Sequence, residues 1–191
     1  MPQHPANTDC SCVLLFRVNN AGMVIGNRLL EIPDKLIDED TCKAFLPDMI
    51  ASRGGHVVNI ASLAGMQGMS RLTDYCASKF AAVGFHESLT VELKVGGHDD
   101  VHTTVICPFF INTGMFDGAK STVIPFLEPE YVADQIETAI LLNKEHVIIP
   151  GYLTPLFFFK LLLPSNAYWW LGRSFRVERS MDAFTGRQKT A

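Results

Sequence analysis

The fold is decided by residues 56–79, HVVNIASLAGMQGMSRLTDYCASK, in which a short apolar run gives way to a helical pattern. The run at residues 56–61 predicts a strand that stops at Ser62. Residues 74–94 then predict a long helix, because their apolar side chains recur at helical spacing. Those side chains are Tyr75, Phe80, Val83, Leu89 and Leu93.

The same alternation continues outward from this stretch in both directions. A second helix is predicted over residues 130–142, entered through Pro129. Further strands, each ending in a polar or Gly/Pro segment, are predicted at residues 13–18, 101–107 and 146–149. Strands that alternate with helices predict an α/β fold with a doubly wound parallel sheet. In such folds the functional groups collect at the carboxyl ends of the strands.

Composition and charge exclude some classes of protein. The 191 residues are 48% hydrophobic and 19% charged, with a net charge of -4 and a mean hydropathy of +0.16, which excludes a disordered tail. Six of the 16 basic residues lie in residues 151–191, which hold two of the 20 acidic ones. A pI of 5.8 without a basic stripe argues against a nucleic-acid partner.

The cysteines and the N-terminus indicate a reducing compartment. The five cysteines are scattered, form no CxxC pair and have no histidine at zinc-site spacing, so we expect free thiols and no metal. Residues 1–12, MPQHPANTDCSC, lack the basic start and apolar run of a signal peptide. We therefore expect the chain to stay on the cytosolic side.

Tyr75 and Lys79 lie four residues apart on the predicted helix, so both side chains leave the same helix face. A free phenol has a pKa of about 10, and a nearby ammonium lowers it toward a range suited to acid and base catalysis. The alternative is a chance surface pair, because Tyr-x-x-x-Lys occurs in many unrelated chains. Ser62 likewise has the alternative of a plain turn residue that ends a strand.

Taken in order, four motifs resemble the short-chain dehydrogenase/reductase family. They are NNAG at residues 19–22, IASLAG at 60–65, YCASK at 75–79 and CPFFINTGM at 107–115. Four further segments are similar in sequence to the retinol and 17-beta-hydroxysteroid dehydrogenase branch, which contains the epidermal retinal dehydrogenases. They are residues 29–37, 43–50, 74–89 and 181–189. The resemblance implies a Rossmann-like sheet and hydride transfer between NAD or NADP and a lipophilic alcohol or ketone, at a membrane or lipid-droplet surface.

The resemblance also implies a role for each matching residue. Tyr75 would donate or accept the hydroxyl proton, and Ser62 would bind the substrate oxygen. Lys79 would lower the pKa of Tyr75 and hold the nicotinamide ribose. The cofactor-binding residues would be Asn19, Ala21, Gly22, Tyr75, Lys79 and Thr113.

The chain departs from the family pattern in two places. No TGxxxGxG loop precedes Asn19, so we expect a single incomplete domain over residues 1–191 that lacks the first three strands and binds cofactor poorly. Relatives also carry an extra stretch between Asp40 and Cys42 whose Asn completes the proton relay. Without the first three strands, the strand at residues 13–18 would be an exposed edge of the sheet, open to self-association or aggregation. The alternative to an active enzyme is thus an impaired short isoform or gene fragment that acts as a membrane interaction module.

The C-terminal segment, residues 151–180, combines apolar and basic side chains. The run VIIPGYLTPLFFFKLLL at residues 147–163 contains two prolines and one lysine, and it is too short and interrupted for a spanning helix. Two interpretations stay open: an interfacial segment on anionic lipid, and a pocket lid or ordinary core. The expected location is the cytosolic face of the endoplasmic reticulum membrane or a lipid droplet, and otherwise the cytoplasm.

Overall fold

A computed structural model describes residues 16–19, 45–121, 124–160, 162–174 and 179–185 of the chain. These residues contain a sheet of four strands in the order β1-β2-β3-β4, and each neighbouring pair is parallel. The strands are β1 (Phe16–Asn19), β2 (Gly55–Ile60), β3 (Val101–Pro108) and β4 (His146–Ile149). All four predicted strands are confirmed, although residues 13–15 of the first lie outside the described residues.

Within the described ranges, five α-helices and two short 3-10 turns connect and extend the sheet. The helices are α1 (Leu46–Ala51), α2 (Thr73–Val95), α3 (Pro129–Leu141), α4 (Thr154–Lys160) and α5 (Ser165–Ser174). The 3-10 turns are Leu63–Gly65 and Gly151–Leu153. Both predicted helices are confirmed, as α2 and α3, with each end within a residue of its expected position.

Helices cover both faces of the sheet. On one face, Val57 and Val101 pack with Met49 of α1 and Leu89 of α2. On the opposite face, a second cluster joins the strands to α3 through Val58, Ile106, Val132, Ala139 and Ile149. Successive residues of a strand thus enter different cores, as the alternation of side chains across a sheet requires. The α/β doubly wound fold is confirmed for the described strands.

Polar side chains within the sheet are paired with partners on neighbouring elements. Thr103 of β3 and Thr90 of α2 share a hydrogen bond of 2.7 Å, and His56 Nε2 lies 2.7 Å from Thr104 Oγ1. Asn59 Nδ2 lies 3.4 Å from His86 Nδ1 on α2. Because buried polar groups cost free energy unless they are hydrogen-bonded, the first and third pairs fix α2 against the sheet, while the second joins β2 to β3.

The apolar run at residues 147–163 divides between different environments. Its first residues belong to β4, where Ile148 and Ile149 are buried, and its later ones form the 3-10 turn and α4. Most large side chains of α4 are exposed. In the described parts of the chain, none of the helices has the length and apolar character needed to cross a bilayer.

Candidate functional site

Ser62 lies where β2 ends and the 3-10 turn Leu63–Gly65 begins. Its Oγ accepts a hydrogen bond from the Ala64 backbone N–H at 3.2 Å, as the N-cap residue of that turn. The same hydroxyl donates to the carbonyl oxygen of Pro108, the last residue of β3, at 3.4 Å. Ser62 is half-buried and joins the carboxyl ends of two neighbouring strands.

The turn after Ser62 packs directly on α2 at Gly65. A Cβ atom on Gly65 would lie 2.5 Å from the backbone oxygen of Lys79, closer than real Cβ atoms come. The absence of a side chain at this position therefore allows the turn to reach α2. This contact sets the distance between Ser62 and the helix that carries Tyr75 and Lys79.

Tyr75 and Lys79 leave the same face of α2 and are both 7% exposed. The Tyr75 phenol lies near enough to the Ser62 side chain for Ser62 to act on the pKa of Tyr75. Lys79 Nζ donates to the carbonyl oxygen of Ile60, at the end of β2, at 2.9 Å, and lies 5.7 Å from the centre of the Tyr75 ring. The structure thus brings together the three side chains for which the sequence predicts catalysis.

Burial governs the ionisation of this cluster. It raises the pKa of Tyr75, and the nearby Ser62 side chain opposes that rise without reversing it. The net direction is opposite to the lowering that the sequence predicts. Burial also lowers the pKa of Lys79, whose Nζ is bonded to the Ile60 carbonyl oxygen. At neutral pH Tyr75 is therefore a phenol able to donate a proton.

The predicted cofactor residues outside this cluster have different outcomes. Asn19 ends β1 and is paired in register with Asn59, so its backbone lies at the carboxyl edge of the sheet. Thr113 is exposed on the loop after β3, and its N–H donates to the Ile111 oxygen at 2.9 Å. Ala21 and Gly22 lie outside the described residues. The predicted gap between Asp40 and Cys42 also lies outside them.

An apolar wall beside Tyr75 is a feature that the sequence reasoning missed. The rings of Tyr75 and Phe116 meet edge to face at 5.8 Å, and Phe110 lies 4.7 Å from Phe116. Met181 is 1% exposed within the same cluster. Two sequence features could have indicated this wall: the adjacent phenylalanines at 109–110, and the similarity of residues 181–189 to the family. The site therefore borders a buried apolar surface.

The segment that carries Met181 is held in place by hydrogen bonds to its backbone. Arg71 Nη1 donates to the Met181 oxygen at 3.2 Å and to the Asp182 oxygen at 2.9 Å. Gly118, with a φ of 82°, lies so close to the segment that a Cβ atom would meet the Ala183 oxygen at 2.0 Å. The far C-terminal part of the chain thus contributes to the wall of the site.

A strand-end serine beside a helical Tyr-x-x-x-Lys pair, at the carboxyl edge of a parallel sheet, places the protein in the class of α/β proteins with a site outside the strand ends. The chain belongs to the short-chain dehydrogenase family. The family model described as "short chain dehydrogenase" matches residues 13–123, which is more than half of the chain.

Named relatives support this assignment along nearly the whole chain. The chain is 41% identical over 185 residues to epidermal retinol dehydrogenase 2 of Homo sapiens, covering 90% of this chain and 60% of the relative. It is 39% identical over 189 residues to retinol dehydrogenase 10 of Rattus norvegicus, covering 91% of this chain and 55% of the relative. The chain therefore spans little more than half the length of these relatives.

Solved structures show the same fold at lower identity. A short-chain dehydrogenase/reductase from Burkholderia phymatum in complex with NAD matches with a TM-score of 0.59 and 21% identity, covering 74% of this chain and 63% of that one. A short-chain dehydrogenase from Sphingobium yanoikuyae in complex with NADPH matches with a TM-score of 0.60 and 21% identity. The match covers 92% of this chain and 67% of that one.

Proposed function

We propose that the chain catalyses hydride transfer between NAD or NADP and a lipophilic alcohol or ketone of the retinoid or steroid type. The observation that carries this proposal is the convergence of Ser62, Tyr75 and Lys79 at one edge of the sheet. Two relatives named retinol dehydrogenases favour a retinoid-like substrate. Neighbours bound to NAD and to NADPH favour a nicotinamide cofactor without selecting between the two.

Tyr75 is the proposed acid and base. Its raised pKa keeps the phenol protonated, so in the reducing direction it donates its proton to the substrate carbonyl oxygen. The oxidising direction is the reverse step, in which Tyr75 first loses its proton to solvent and the phenolate oxygen then takes the proton of the alcohol. The Ser62 hydroxyl, which lies beside Tyr75, holds the substrate oxygen within reach of the phenol. The nicotinamide group, when bound, supplies or accepts the hydride.

Lys79 fits the ribose end of such a cofactor. A lysine ammonium has three N–H donors, and its one recorded hydrogen-bond acceptor among the described residues is the Ile60 oxygen. A buried ammonium is stabilised by further acceptors, which the two ribose hydroxyls provide. Lys79 would therefore bind the ribose, while Asn19, Ala21, Gly22 and Thr113 remain proposed contacts to the rest of the cofactor.

The wall beside Tyr75 supports a lipophilic substrate. Phe110, Phe116 and Met181 supply apolar surface next to the phenol, while Tyr75 and Ser62 supply the polar groups. Pockets of this kind bind an apolar body by burial and orient one polar group by hydrogen bonds. We propose the cytosolic face of the endoplasmic reticulum membrane, or a lipid droplet, as the place where such a substrate is met.

The test compares Tyr75→Phe with the wild-type chain, following cofactor absorbance with a retinoid or steroid alcohol as substrate. We expect turnover to fall by at least about a hundredfold, since a positioned acid and base contributes roughly that much or more. Tyr131→Phe is the matched control, because Tyr131 is an exposed tyrosine on α3. Full turnover in Tyr75→Phe would exclude Tyr75 as the proton donor.

Cofactor binding is measured separately from turnover. NADH and NADPH fluorescence should change when the wild-type chain is added, and Lys79→Ala should weaken that change. If the wild-type chain changes neither signal, hydride transfer does not belong to this chain alone. The alternative, an interaction module without catalysis, would then be favoured.

A further inference from the structure

Exposed apolar side chains are concentrated in one part of the described chain. Eight of its sixteen large exposed hydrophobic residues fall within residues 152–170. Phe158 is 64% exposed and Trp170 is 63% exposed. The eight are Tyr152, Leu156, Phe158, Phe159, Leu162, Leu163, Trp169 and Trp170. Scattered exposed apolar residues are ordinary on protein surfaces, but a cluster of aromatic ones marks an interaction site.

The described part of α5 gains little from packing against the rest of the protein. The helix runs over Ser165–Ser174, and none of its seven residues whose exposure is described is buried. Isolated helices of this length are unstable in water, and packing of an apolar face usually provides their stability. A surface that covers Trp169 and Trp170 would add burial that the described residues of α5 lack.

Charge identifies the kind of surface. The guanidinium carbon of Arg173 lies 5.2 Å from the Trp169 ring centre and 6.0 Å from that of Trp170, so one patch combines a cation with two indoles. Residues 151–191 contain six basic and two acidic residues, whereas residues 1–150 contain 18 acidic and ten basic ones. An anionic surface would therefore attract this end of the chain and repel the remainder.

We propose that the segment formed by α4 and α5, residues 154–174, binds an anionic lipid surface. Trp169, Trp170 and the exposed phenylalanines of α4 enter the interfacial region, where amphipathic aromatic rings are favoured. Arg173 contacts the lipid phosphate groups. This binding requires neither cofactor nor turnover, so it is independent of the proposed catalytic function.

The segment is attached beside the candidate site. Phe157 of α4 is buried with Ala61 and Leu63, the two neighbours of Ser62 in sequence. Lys160 Nζ donates to the Met66 oxygen, one residue beyond the turn that Ser62 caps. Lipid binding by α4 and α5 would therefore hold the Ser62 edge of the sheet near the lipid, from which an apolar substrate arrives.

The experiment uses the two tryptophans, Trp169 and Trp170, which are the only ones in the sequence. The full chain is mixed with phosphatidylcholine vesicles with and without phosphatidylserine, some carrying acyl chains brominated near the headgroup. We expect a blue shift and bromine quenching with the anionic vesicles, both reduced by high salt. Unchanged fluorescence with every vesicle would overturn the proposal. A blue shift that depends on protein concentration without vesicles would instead assign the surface to a second copy of this chain.

Variants locate the binding, measured by flotation with the same vesicles. Arg173→Glu should weaken partitioning by about tenfold, because each basic residue near the surface contributes to attraction by anionic lipid. Phe158→Glu with Phe159→Glu should abolish flotation. Leu141→Glu with Leu142→Glu is the matched control, since these leucines are 73% and 62% exposed at the end of α3. Equal loss in the control pair would overturn the assignment to α4 and α5.

Discussion

The carboxyl edge of the sheet and the α4–α5 segment use similarly apolar sequence in different ways. Val105, Ile106 and Cys107 of β3 are 0% exposed, and the polar side chains around them are paired. In α4 and α5, Phe157 is the one described side chain that is buried. Hydrophobic sequence thus predicts that a surface will be covered, but the covering element can belong to the same chain or to something outside it.

The adjacent residues Phe157 and Phe158 give the sharpest test of that difference. Phe157→Ala should destabilise the fold by about 3 kcal/mol, because it removes a buried ring and leaves a cavity beside Leu63 and Leu153. Phe158→Ala should change the free energy of unfolding by less than about 0.5 kcal/mol, because its ring is mostly exposed. Urea unfolding of both variants, without lipid, measures the two values.

The same pair separates stability from lipid binding. Phe158→Ala should weaken vesicle flotation even though it leaves the unfolding midpoint in place. Equal destabilisation by the two substitutions would mean that both rings lie in the core, and the contrast between the regions would then be wrong.

The pH dependence of the free energy of unfolding tests the effect of burial on the sheet region, through the buried His86. Burial lowers the pKa of His86 on α2 to about 4, with a further lowering from nearby His146. The Asn59 amide donates to His86 Nδ1, so that nitrogen is unprotonated in the folded chain. The unfolded chain, with a histidine pKa near 6.5, takes up a proton first as the pH falls.

Stability should therefore be highest above pH 6.5 and fall as the pH decreases toward 4. The slope is about 1.4 kcal/mol per pH unit for one proton, and the total loss from His86 is about 3 kcal/mol. Urea midpoints across this range measure it, and His86→Gln should flatten the curve. An equally steep curve for His86→Gln would show that His86 is not responsible. His56 and His146, whose pKa values are also lowered by burial, would explain a remaining slope.

The strands and helices around the sheet could be predicted from sequence because their signals are local. Residues 56–61 and 146–149 form strands within one residue of the expected bounds, and the apolar spacing of residues 74–94 predicted α2. For the rest of the run, up to residue 163, the sequence left a surface segment and ordinary core both open. Neighbouring side chains there differ in burial, because only Phe157 of α4 packs on Leu63 and Leu153.

The sequence predicted which side chains the candidate site brings together, but not the direction in which the pKa of Tyr75 is shifted. Spacing of four residues on a helix is enough to place Tyr75 and Lys79 on one face. The direction of the Tyr75 pKa depends on burial, which arises from residues far away in sequence such as Phe116 and Met181. Local motifs therefore predict which side chains lie together, while the complete fold determines their protonation.

Gly65 lies where the turn after Ser62 meets α2, and the loss expected from its substitution is smaller than the losses expected for Phe157 and His86. Gly65→Ala would place a Cβ atom 2.5 Å from the Lys79 backbone oxygen, in a helix that cannot easily move. We expect a loss of about 2 kcal/mol in the free energy of unfolding, the usual cost of overpacking. The turn that Ser62 caps must also move away from α2, so the distance between the Ser62 and Tyr75 side chains should increase.

Gly68→Ala is the matched control, because a Cβ atom on Gly68 would have no neighbour within 4 Å. Urea unfolding should separate the two variants by about 2 kcal/mol. Turnover, normalised to the folded fraction, should also fall in Gly65→Ala alone, since a displaced Ser62 no longer positions the substrate oxygen. If Gly65→Ala matches Gly68→Ala in both measurements, the contact between the turn and α2 does not set the geometry of the site.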